Sequence, residues 1–243
     1  MRLFRAELLK LVTTRTMLAL TVGMVGLIVL ITLVNGYALD HATLLERKTQ
    51  FQVLANGSIA SAFAAIAGVM SMSTEFRHGT IRPTFLAEPR RLRVLWAKVA
   101  ATTVLGVVLG VIGIGLSLGL GKLALSSRNI PAALSGRDMT LLVVGGVAAS
   151  ALWGAFGVVV GAAFRNQVGA IVGLLTWVLF VENILFALVP SVGRYLPATA
   201  LNVLTQIDVP HQLTVAQGTL VFCGYLAVAA VAAAAVTDRR DVA

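Results

Sequence analysis

The sequence predicts an all-α polytopic membrane protein with six transmembrane helices, an N-terminal interfacial helix and both termini in the cytoplasm. Three observations predict it. Of the 243 residues, 58% are hydrophobic and only 12% are charged, with a mean hydropathy of +0.92, well outside the averages of soluble domains. Stretches without Asp, Glu, Lys or Arg run over 16–39, 49–74, 99–121, 139–164, 166–181 and 209–237. A bilayer core about 30 Å thick takes about 20 helical residues to cross; five of these runs suffice alone, and 166–181 continues past the single carboxylate of Glu182 through NILFALVP to Pro190. Finally, counting Lys and Arg on alternate sides of the spans gives thirteen on the side of the termini and six on the other, and an excess of basic residues marks the cytoplasmic face. Membrane strands would alternate polar and apolar residues over about ten positions, and these runs do not.

The elements follow in order within a single transmembrane domain, 1–243. Residues 2–15, RLFRAELLKLVTTR, put Leu3, Phe4, Leu8, Leu11 and Val12 on one side of a helix and Arg2, Arg5 and Lys10 elsewhere, which predicts a helix lying in the inner interface; the plainer alternative is a basic flank of the first span. The first apolar run is too long for the core of a secretory signal and lacks a cleavage site before NGYALD, so it is expected to stay attached. Spans are expected near 16–36, 55–75, 99–121, 139–163, 167–189 and 216–237. Residues 37–55 and 122–138 read as polar outer loops, and 190–215 as an outer loop punctuated by proline and apolar enough to lie against the membrane. Between spans 2 and 3, residues 76–98 read as a cytoplasmic loop, and 164–167 as a short turn on the same side. Glycine pairs four residues apart, Gly106/Gly110, Gly115/Gly119, Gly157/Gly161 and Gly169/Gly173, suit close helix packing within the chain.

Most chemistry is excluded. Cys223 is the only cysteine, which rules out an intrachain disulfide, and His41, His78 and His211 have no metal-ligand spacing. The nearest approach to a phosphate-binding loop ends at Gly121-Lys122, but Leu116 and Leu123 stand where glycine and Ser/Thr are required, so the chain is expected not to hydrolyse ATP. No catalytic set, no metal site and no cofactor is expected in the chain, and the net charge of +9 reflects topology rather than nucleic-acid binding. Glu182 is the one ionisable side chain well inside a span; it reads either as a polar point in a substrate path or as a carboxylate hydrogen-bonded between helices, for example near Asn183.

The segment STEFRHGTIRPTFLAEPRRLRVLWAKV, 73–99, concentrates Arg77, Arg82, Arg90, Arg91, Arg93 and Lys98 in one place. Gly79 offers a break after the second span, Pro83 fits the start of a new helix and Pro89 closes it, which predicts a short transverse helix near 81–88. Anchorage at an anionic leaflet accounts for the arginines but not for the Gly, Pro and Glu punctuation.

EFRHGTIRPTFLAEPRR followed by RVLWAK resembles the loop between the second and third spans of bacterial type-2 ABC transporter permeases. RAELLKLVTTRT resembles their interfacial helix, and GAAFRNQVGAIVGLLTWVLFVENIL their fourth and fifth spans. The resemblance implies a permease subunit in the bacterial plasma membrane, paired with a second copy or a paralogue and driven by cytoplasmic ABC ATPase subunits that bind ATP and Mg. By position, Glu75, Phe76, Arg77, His78, Gly79, Thr80, Arg82, Pro83, Phe85, Glu88, Arg90 and Arg91 would form the coupling element that docks on the ATPase, with Arg165 and Asn166 as a secondary contact. In this reading Glu75 and the arginines make charge-assisted contacts to the ATPase, while Phe76 and Phe85 wedge into it or into the membrane interface. The mostly apolar spans suit a hydrophobic or amphipathic cargo, whether drug-like metabolite, peptide or lipid, as in multidrug efflux. The competing readings are a six-span secondary transporter or channel driven by an ion gradient, and a non-transporting sensor or scaffold.

Overall fold

A computed structural model describes residues 2–77, 79–80, 86, 88, 90–164, 166–206 and 209–239. Among them there is no strand, and six helices are long and apolar enough to cross a membrane: Arg15–Ala38, Arg47–Arg77, Arg91–Ser127, Gly136–Ala163, Gln167–Leu188 and Val215–Ala235, here spans 1 to 6. The chain is a multi-pass, all-α membrane protein. Its two ends differ in charge: one, the basic end, carries the N-terminal helix Arg2–Thr13, the end of span 2 at Arg77, the start of span 3 at Arg91, and Phe164 and Asn166 between spans 4 and 5.

Spans 2 and 4 form the centre, with 61% of each apolar window buried, against 22% for spans 1 and 6 and 11% for span 5. In lipid the hydrophobic effect does not drive helices together, so close backbone approach must. Gly68, Gly157 and Gly161 supply it: a Cβ on any of them would collide with the carbonyl oxygen of Gly154, Ala65 or Val69 respectively. Gly106 meets Ser150 in the same way, which joins span 3 to span 4. Thus Gly106/Gly110 and Gly157/Gly161 pack internally, whereas Gly115, Gly119 and Gly173 would gain a Cβ with nothing within 4 Å.

Three boundaries differ from the sequence expectation, for one reason. Residues 37–55 are not simply a loop, because span 2 already begins at Arg47, and the third span begins at Arg91 rather than 99 and ends at Ser127 rather than 121, inside the loop expected over 122–138. At 1.5 Å per residue a 37-residue helix reaches about 55 Å, well beyond a hydrocarbon core of about 30 Å. Polar turns that project from the membrane leave no mark in a search for apolar runs. The non-basic end is ordered by specific bonds. Gln50 donates to the carbonyls of Leu44 and Pro131, both at 2.9 Å, and accepts from Ala133 N at 2.8 Å. Arg47 forks onto Asp138 at 2.6 and 3.0 Å. The 190–215 segment does more than lie against the membrane, since Ala198, Leu201, Val203 and Leu204 are buried with Trp153 and Phe222 and plug the bundle between spans 4 and 6.

Candidate functional site: the loop between spans 2 and 3 and its clamp

Thr14, in extended conformation at φ −78° and ψ 134°, turns the chain between the N-terminal helix and span 1. The N-terminal helix therefore lies beside span 3, and Glu7, on its buried face, comes within reach of residues some seventy to ninety positions away. Lys98 is 1% exposed and all three of its ammonium hydrogens are placed: on Glu7 Oε2 at 2.7 Å, Glu75 Oε1 at 2.8 Å and Ser71 O at 3.1 Å. Lys10, on the open side, reaches Glu7 Oε1 at 2.8 Å and Glu75 Oε1 at 2.9 Å. Two carboxylates and two ammonium groups thus neutralise one another where the N-terminal helix, span 2 and span 3 meet. Burial pushes the Glu7 carboxyl up, but Lys98 and Lys10 outweigh it and hold the group below its ordinary value. Burial likewise pushes Lys10 down, and its bonds to Glu7 and Glu75 outweigh that and raise it.

This geometry revises the roles expected of the loop. Glu75, expected to contact the ATPase, is 8% exposed and within this chain is paired with Lys98 and Lys10. Phe76 packs beside Met72 and Leu95 rather than wedging outward. Lys98, counted with the loop's basic side chains, is the centre of the clamp. Arg77 is exposed at the end of span 2, and Gly79 takes a positive φ of 67°, which glycine adopts without the strain a Cβ brings, so the helix breaks there. Thr80 and Arg90 are exposed and Arg91 is half-buried at the start of span 3. Glu88 accepts from Arg90 N at 3.3 Å and stands 4.0 Å from the Arg93 guanidinium. His78, Arg82, Pro83, Phe85 and the rest of the transverse helix expected near 81–88 lie outside the described residues, as does Arg165.

Asn166 caps span 5 by accepting from the amides of Val168 and Gly169 at 3.0 and 3.3 Å. The structure brings it together with Arg77: the two line one surface recess with Gln167 and Val168. Glu182 lies far from both, in span 5, with no exposed surface; its Oε2 accepts from Ala198 N at 2.7 Å and Thr199 N at 3.1 Å. Asn183 bonds instead to the carbonyls of Val178 and Leu179, at 3.0 and 3.1 Å, in the widened turn Trp177–Val181. Among the described residues no group of three or more His, Cys, Asp or Glu could hold a metal ion. Glu7 was not singled out from the sequence, although an acidic residue among the basic and apolar ones of a short helix was the signal to follow. Neither protein-family models nor curated proteins give a match to this chain.

Proposed function

We propose that this chain is the membrane-spanning subunit of an ATP-driven exporter, which moves a hydrophobic or amphipathic substrate across the plasma membrane. It works in a pair with a second permease, a copy or a paralogue, and takes its energy from separate cytoplasmic ABC ATPase subunits holding ATP and Mg. The basic end faces the cytoplasm in this reading. The observation that carries the proposal is the clamp of Glu7, Lys10, Glu75 and Lys98 at the root of the 78–90 loop. A loop hinged freely at both ends would absorb a push. A loop whose two flanking helices are tied to each other and to a third helix passes the push on to the bundle.

The surface offered to the ATPase includes the exposed Arg77, Thr80 and Arg90, and Leu86, which is 83% exposed. Arg77 and Asn166, sharing a recess, extend that surface across the basic end. Span 2, moved by the loop, carries the glycine seam with span 4, so a shift there changes how the two central helices pack. Membrane lipid and the second permease cover the apolar faces of spans 1, 5 and 6.

The test is reconstitution of the chain with ABC ATPase subunits of the same cell in inside-out proteoliposomes. ATP-dependent uptake of an amphipathic dye, lost in the double variant Arg77→Ala, Arg90→Ala while both subunits remain folded, is the expected result. Transport that needs no ATPase and stops when the proton gradient collapses contradicts it. That outcome is the ion-driven reading, which the buried carboxylate of Glu182 favours.

A further inference from the structure

A second cavity lies apart from the loop, between spans 4 and 5. It holds about 310 Å³, in the size range of small-molecule sites. Its length is set by span 5, from Gly169 to Glu182, which at 1.5 Å per residue is about 20 Å. The gap exists because Gly169 and Gly173 face it; an added Cβ at Gly173 meets nothing within 4 Å. Trp153, Phe156, Phe164 and Trp177 line it. Trp153 and Phe156 are held edge to face at 5.6 Å, and Phe222 backs both, at 5.2 and 5.5 Å, so this wall is rigid.

Among the described residues, Glu182 is the only acidic or basic one that lines the same cavity. Its Oε2 is occupied by the amides of Ala198 and Thr199, but its Oε1 is buried without a hydrogen-bond partner; Trp177 stands near without closing a bond of ordinary geometry. An unpaired carboxylate oxygen in an apolar span is costly unless a donor meets it. An anion entering here would meet an acceptor oxygen and no donor, and a neutral hydrocarbon would fill the volume while leaving that oxygen bare. An ammonium group meets both features, donating to the carboxylate and lying over electron-rich rings.

We propose that the cavity between spans 4 and 5 binds an elongated lipophilic amine in its protonated form, with Glu182 as counter-charge and Trp153, Phe156 and Trp177 as walls. This deepens the exporter reading by naming its substrate class, and it rests on that reading only for the bound amine being cargo.

The test uses two fluorophores of one shape, 1-pyrenemethylammonium and the neutral 1-pyrenemethanol, titrated by quenching of tryptophan fluorescence against the purified full chain in nanodiscs of zwitterionic lipid, with empty nanodiscs as reference. The cation is expected to bind about tenfold or more tighter than the alcohol, the size of a desolvated ion pair with aromatic contact. Glu182→Gln keeps an oxygen for the Ala198 and Thr199 amides and is expected to abolish the preference. Gly173→Leu, which adds its side chain to open space, is expected to weaken both probes and serves if the first variant fails to fold. Equal affinity of the two probes, a preference that survives Glu182→Gln, or cation binding indifferent to Gly173→Leu overturns the proposal; equal affinity would mark a cleft for lipid chains. A chain that couples to an ATPase but shows no preference loses only this inference, whereas one that binds the cation but couples to no ATPase loses only the exporter reading.

Discussion

Glu75 and Glu182 are both glutamates in apolar helices, both are buried, both line cavities, and each leaves one carboxylate oxygen without a partner. What opposes their charge differs. Glu75 meets two ammonium groups within 3 Å, at 2.8 and 2.9 Å, brought in by span 3 and the N-terminal helix. Glu182 meets two backbone amides at the start of Pro197–Leu201, and among the described residues no cation pairs with it. A charge closed by ammonium groups from two other helices holds those helices together. A carboxylate met only by dipoles holds a segment in place and leaves one oxygen open. The first arrangement makes a fixture of the basic end, and the second is what the proposed amine site rests on.

Substitutions that strip the charges break or sharpen this contrast, and Lys98→Met is expected to act most strongly. It leaves Glu7 and Glu75 buried with only the half-exposed Lys10, and removing one partner of a buried pair costs about 3–5 kcal/mol. Thermal unfolding in detergent reads this, and the triple variant Lys98→Met, Glu7→Leu, Glu75→Leu is expected to recover most of the loss, because hydrophobic replacement of the whole set leaves no charge stranded. A single Lys98→Met without effect would mean that the clamp holds nothing.

Next comes Glu7→Gln, which weakens two charge-assisted bonds and is expected to cost about 1–3 kcal/mol at neutral pH. Its pH dependence has a definite sign. Since the folded carboxyl sits below its ordinary value of 4.5, the stabilisation is fully present above that value and is lost as pH falls through the folded pKa; the gap between wild type and variant should therefore close in acid. Lys10, raised above its ordinary 10.5, keeps its share below that value and loses it only as pH rises through the folded pKa. A gap that widens in acid would contradict the assignment.

Smaller again is Glu182→Gln, expected to change stability by less than about 1 kcal/mol because an amide oxygen still accepts from Ala198 and Thr199. Glu182→Leu orphans both amides and should cost about 1–3 kcal/mol, so the spread between the two variants isolates hydrogen bonding from charge. A comparably small effect is expected from Arg47→Ala, because Ser135 still donates to the Asp138 carboxylate. The Arg47 side chain is 45% exposed, and solvent screening leaves an ion pair there worth about 0.5–1 kcal/mol despite the fork onto Asp138.

Much of the fold was legible because crossing a bilayer demands a long apolar run, and the sequence must write one for each span. The end of span 2 was legible too, since a helix that breaks beside Gly79 uses a residue free to take positive φ. The starts of spans 2 and 3, at Arg47 and Arg91, were not, because helical turns outside the membrane need no apolar run. The clamp escaped for a different reason. Glu7 and Lys98 are separated by 91 positions, and only the turn at Thr14 and the packing of three helices bring them to 2.7 Å. Read alone, Lys98 looks like one more basic residue of the inner face. Glu182 was visible as an anomaly, but its amide partners sit in a segment that reads as surface, and Asn183 drew attention for its adjacency while its own bonds satisfy the carbonyls of Val178 and Leu179.

The central claim is that the 78–90 loop is gripped by an ATP-binding partner on the cytoplasmic face. The most direct test puts single cysteines at Thr80 and Arg90 in a Cys223→Ser background, attaches a photo-crosslinker in inside-out membranes, and probes the adduct with photoreactive azido-ATP. The account predicts an adduct between the chain and a nucleotide-labelled protein, formed at both positions and absent when the reagent is confined to the outer side of intact cells. Modification of either cysteine from outside, or adducts that carry no nucleotide label at both positions, would contradict it.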